Sequence, residues 1–149
     1  MLIIFLVTFI GLMGFGIILP LFPFYAERLG ASPEVITLTM AVFSMGQFIA
    51  SPFWGRLSDS IGRKKVLIIS LIGSSISYVM LAFADTLTMV IISRILSGLM
   101  AGNISIAFAY VADITDEENR SAGLGKVSAA LGLGFMTGPA IGGFLAGND

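Results

Sequence analysis

Residues 55–67, GRLSDSIGRKKVL, place four cations (Arg56, Arg63, Lys64, Lys65), one carboxylate (Asp59) and two glycines (Gly55, Gly62) between two apolar stretches. Each flank continues for about twenty residues, which as a helix crosses a hydrocarbon core ~30 Å thick. The flanks therefore read as membrane spans. A short basic link between two spans belongs on the cytoplasmic side by the positive-inside rule.

Composition agrees. The chain of 149 residues is 56% hydrophobic and 11% charged, whereas a soluble domain carries roughly 25% charged residues. An ordinary water-facing surface is excluded. The net charge of −1 says little, because the charges are segregated by side. There is no cysteine and no histidine. Disulfides, thiol or imidazole metal sites and nucleophile–His arrangements are thereby removed. With no nucleophile–base pair or metal cluster to assemble, no enzyme, metal, cofactor or nucleic-acid partner is expected. The N-terminus lacks a basic leader and an A-x-A site, and its apolar run outlasts a signal peptide. It reads as a retained helix.

Five spans can be marked, at about 2–25, 35–54, 66–84, 87–112 and 122–146. The first holds Gly11, Gly14, Gly16, Pro20 and Pro23, tolerated where neighbours satisfy the freed backbone groups. Ser32-Pro33-Glu34 is a good helix start. Gln47 is the strongly polar side chain of the second span, suited to a bond with a neighbouring helix or, alternatively, to a wet cavity. Gly73, Ser74 and Ser77 give the third a small-residue face. Asp85-Thr86 makes a tight outer turn, so spans three and four are antiparallel neighbours. Residues 113–121, DITDEENRS, form an acidic inner loop. Loops assigned inside hold Arg56, Arg63, Lys64, Lys65 and Arg120, with Lys126 just within the next span; those outside hold Arg28. This bias puts the N-terminus inside and Asn148 and Asp149 outside.

Three constellations stand out. Asp59 and Arg63 are four apart and can pair on one turn if the basic loop is helical, while Asp113 closes the inner end of span four. Arg94 sits within the apolar run MVIISRILSGLM and opens the pattern Arg94-x-x-x-Gly98-x-x-x-Gly102. A guanidinium there costs several kcal/mol or demands a partner or water, which marks a functional site; snorkelling to the outer headgroups is the alternative. The fifth span carries Gly134-x-x-x-Gly138-Pro139-x-x-Gly142-Gly143. Gly134, Gly138 and Gly142 share one helix face as a groove, and Pro139 favours a kink by removing the bond to the carbonyl of Phe135.

Together with GFGIILPLFPFY in the first span, these motifs resemble the major facilitator superfamily of transporters, in its drug/proton antiporter type. The resemblance implies an all-α integral membrane fold: helices one to five of the N-terminal bundle, apparently truncated before helix six, with the C-terminal helices absent. In such transporters the loop between helices two and three locks the outward-open state. Carried over, Gly55, Asp59, Gly62, Arg63 and Lys64 form that loop, with Asp113 as the fourth-helix acid. Asp59→Asn is then expected to impair transport far more than Ser58→Ala. Arg94, with Gly98, matches the motif implicated in proton coupling, and Gly134, Gly138, Pro139, Gly142 and Gly143 match the antiporter motif. The implied function is efflux of a small amphipathic or cationic compound in exchange for protons, by alternating access, across the inner membrane. Alternatives are a facilitator-type importer of sugars or other metabolites, and a non-transporting membrane fragment. In a fragment the glycine groove is expected to lie against lipid or a chance partner.

Overall fold

The computed structural model describes residues 1–147; the terminus assigned outside, Asn148 and Asp149, lies beyond them. Six helices follow in order: α1 (Leu2–Arg28), α2 (Pro33–Ile61), α3 (Arg63–Ala82), α4 (Leu87–Met100), α5 (Asn103–Ile114) and α6 (Glu117–Ala146). No strand occurs among the described residues. Five stretches are long and apolar enough to cross a membrane, with α4 and α5 together (Leu87–Ile114) making the fourth.

The links are shorter than their polarity suggests. Residues 55–67 are not a loop: α2 runs to Ile61, Gly62 alone intervenes, and α3 starts at Arg63. Gly62 has φ 99°, a backbone region that side-chain-bearing residues avoid, so glycine makes the one-residue reversal possible. Most of the acidic segment is helical too, because α5 ends at Ile114 and α6 begins at Glu117. Charged side chains do not forbid helix once the chain leaves the hydrocarbon. Ser32 and Pro33 start α2 as the sequence indicates, with Ser32 extended at φ −74°, ψ 159°. Its hydroxyl donates to Glu34 Oε2 (2.8 Å) rather than accepting from the backbone. Thr86 caps α4 by accepting from the Met89 amide at 3.3 Å. In the turn before it, the Ala84 carbonyl accepts from the Tyr25 hydroxyl.

The helices fall into two compact units, Met1–Phe22 with the chain from Ala107 onward, and Pro23–Ile106. In the first unit α1 and α6 run parallel. A Cβ on Gly134 would meet Phe9 and Met13, one on Gly138 would meet Met13 and Gly16, and one on Gly142 would meet Ile17 and Pro20. Contacts advance one turn on each helix together. Helix α5 joins them in a small core of Ile4, Ala107, Val111 and Val127.

In the second unit α2 and α4 are parallel. Phe43 lies beside Gly98, Gly46 beside Gly98 and Leu99, and Trp54 beside Gly102. Helix α3 runs against them, its Ser70 and Ser74 hydroxyls both reaching the Met100 carbonyl (2.6 and 3.4 Å). Without a hydrophobic drive between helices in lipid, close approach at small residues and interhelical hydrogen bonds hold such a bundle together.

Candidate functional site

The basic link is a knot rather than a loop. Asp59 lies in the last turn of α2 and Arg63 is the first residue of α3, and their Oδ1 and Nη2 atoms are 2.5 Å apart. The second arm of the guanidinium, Nη1, donates to Ser58 Oγ at 2.5 Å. Ser58 in turn donates to the Gly55 carbonyl at 2.7 Å. Ser58 is fully buried, so it is part of the knot and not the bystander the sequence suggested. The Asp59 side chain is 63% exposed against 20% for Arg63. The carboxylate therefore keeps a face for another partner, and screening limits the pair itself to ~1 kcal/mol or less. Lys64, Lys65 and Asp113 are exposed. A Cβ at Gly55 would meet nothing within 4 Å, so packing among these residues does not explain its glycine.

Arg94 lies seven residues into α4, about 10 Å along the axis. It is only 4% exposed. Its guanidinium carbon stands 5.9 Å from the ring centroid of Phe43 on α2, within cation–π range. One turn on, Gly98 lets α4 pass directly against the Phe43 carbonyl, which any Cβ would strike. Arg94 and Gly98 thus act as a pair: the glycine brings α2 close and the arginine covers the aromatic ring that this approach presents.

The glycine face of α6 is occupied. A Cβ at Gly138 would come within 2.7 Å of Gly16 Cα and the Met13 carbonyl, and one at Gly134 or Gly142 within 2.6 Å of the Phe9 or Ile17 carbonyl. The groove expected to face lipid or a chance partner is filled by α1, because Gly16 leaves room for two backbones to touch. Helix α6 continues through Pro139, whose Cδ would sit 3.0 Å from a Cβ on Gly16. Gly143 points elsewhere, with nothing within 4 Å.

Phe43, Ser58 and Trp54 were not singled out by the sequence. An aromatic or a serine in an apolar helix carries no signal of its own, and only the residue it touches gives it meaning.

Five helical stretches long and apolar enough to cross a membrane, with a charged knot at one link and a buried arginine in one of them, define a polytopic membrane protein. The chain matches the Major Facilitator Superfamily over residues 4–148, and it belongs to that family. It is 36% identical over 141 residues to the class B tetracycline resistance protein of Escherichia coli. It is 40% identical over 140 residues to multidrug resistance protein 2 of Bacillus subtilis. To the quinolone resistance protein NorA of Staphylococcus aureus it is 34% identical over 139 residues. Each match covers 93% of this chain but only 35–36% of the relative. The chain spans about a third of the length of the curated relatives it matches.

Proposed function

We propose that this stretch is the first five-span part of the N-terminal bundle of a drug-efflux antiporter, exchanging protons for a small amphipathic or cationic compound by alternating access. The observation that carries the reading is Arg94, 4% exposed within an apolar span. A cation held at that depth is costly to keep and is retained where charge moves. A guanidinium buried beside the Phe43 ring supports this reading over snorkelling to the headgroups. Relatives named for tetracycline, multidrug and quinolone resistance support an exporter over an importer. In this reading the Asp59–Arg63–Ser58 knot lies on the cytoplasmic side and its exposed carboxylate meets a helix end of the second bundle. Asp113 supplies the fourth-helix acid. The Gly134, Gly138 and Gly142 face, with Pro139 and Gly143, sets the seam between α1 and α6. The N-terminus is cytoplasmic and the membrane is the inner membrane of a bacterium.

A chimera tests this directly. The 149 residues replace the matched stretch of one of the three relatives, and everted membrane vesicles are energised to an acid interior. Adding tetracycline, a quinolone or a lipophilic cationic dye should release protons while the compound accumulates. Accumulation without proton release, or neither from a chimera that is present and inserted, contradicts the proposal.

A further inference from the structure

The fourth membrane stretch is broken at Ala101 and Gly102, where glycine weakens a helix but does not by itself end one. Helix α4 stops at Met100 and α5 starts at Asn103, with no proline between 87 and 114. At the joint the Ala101 amide turns back to the Gly98 carbonyl (3.1 Å) and the Gly102 amide to that of Met100 (2.8 Å). In an unbroken helix the Leu99 and Met100 carbonyls would accept from the amides of Asn103 and Ile104. Here they accept from side chains of two other helices. The Trp54 indole N–H of α2 donates to the Leu99 carbonyl at 2.6 Å. The Ser70 hydroxyl of α3 donates to the Met100 carbonyl at 2.6 Å, with Ser74 at 3.4 Å. Trp54 and Ser70 are both buried. Other serines on these helices, such as Ser77 and Ser93, bond the carbonyl of their own preceding turn. Trp54 fits because position 102 is glycine: a Cβ there would lie 2.5 Å from its Cγ.

We propose that residues 100–103 are a switchable joint, held broken by a clasp of Trp54, Ser70 and Ser74. Away from water a backbone carbonyl must find a donor within the protein, so release of the clasp leaves the Leu99 carbonyl to take the Asn103 amide, and Met100 then exchanges the Gly102 amide for that of Ile104. Residues 87–114 then form one continuous helix. The joint lies just beyond Arg94 and Gly98. Trp54 stands one turn before Ser58 on α2. The clasp therefore ties the helix that carries the buried arginine to the helix that ends in the charged knot.

The test is amide hydrogen exchange on the 149-residue chain in lipid nanodiscs. In the wild type the Asn103 and Ile104 amides should exchange at least about fivefold faster than those in the middle of α4, the worth of roughly one net hydrogen bond. Trp54→Phe combined with Ser70→Ala and Ser74→Ala should slow them to the α4 rate, while residues 124–133 of α6 stay unchanged. Gly102→Ala should do the same by expelling the indole. Trp54 is the chain's single tryptophan, so its emission should then shift and become more open to acrylamide. Variants that leave Asn103 and Ile104 exchanging as in the wild type, or faster, overturn the proposal. So does a wild type in which these amides are already as slow as the centre of α4. Should the triple variant lose protection in α6 as well, Gly102→Ala decides by the same criteria.

Discussion

Arg94 is sealed in a span at 4% exposure, and Asp59 is left open beside its cation. In a transport-competent chimera, Arg94→Ala should abolish uphill accumulation at normal abundance. Arg94→Lys keeps the charge but loses the planar group that lies over Phe43, and lysine does not reproduce stacked sites; it should retain only part of the coupled activity. Full coupling by Arg94→Ala would remove the arginine from the mechanism. At the knot, Asp59→Asn deletes the exposed charge and should lower transport strongly. The proper comparison is Ser60→Ala, since Ser60 is exposed and bonds only within its own turn. Ser58→Ala removes the acceptor of Arg63 Nη1 and should itself impair transport, to a degree between the two. Indistinguishable rates for all three would mean that the knot has no part in the cycle.

At the scale of the elements, the glycines of α6 divide by what they touch. Gly138→Ala would press a methyl onto the Met13 carbonyl and the Gly16 backbone at 2.7 Å, atoms that cannot turn aside as a side chain can. It should cost ~1–3 kcal/mol, the usual range for overpacking, read from unfolding in mixed detergent micelles. Gly143→Ala, with open space around it, should leave stability unchanged or slightly raised. Equal losses from both would show that α1 does not pack on this face. The residues themselves made this face legible as a groove, since glycines at i, i+4 and i+8 leave one side of the helix smooth. Which neighbour they do not say, since α1 is more than a hundred residues away in sequence and its own glycine at position 16 reads as a kink as readily as a contact. The break at 100–103 was illegible for a similar reason. Apolar content and length describe 87–112 as one span, and the decision lies with donors on α2 and α3. The charged links misled in the opposite sense, because polarity marks where the chain leaves lipid and not where a helix ends.

Across the whole molecule, direction is the property that unites the elements. Helices α1 and α6 are parallel in one unit and α2 and α4 in the other, as alternating crossings require. The exporter reading further demands that the knot at Ser58, Asp59 and Arg63 face the cytoplasm. The cation count predicts this, with one arginine, Arg28, assigned to the opposite side. The chain has no cysteine, so single-cysteine labelling reads sidedness without background, and Ser60 and Ser32 are both exposed. In intact cells a membrane-impermeant maleimide should label Ser32→Cys and spare Ser60→Cys, which should react only once the cells are opened. Labelling of Ser60→Cys from outside, with Ser32→Cys protected, would place the basic knot on the wrong face of the membrane and contradict the account.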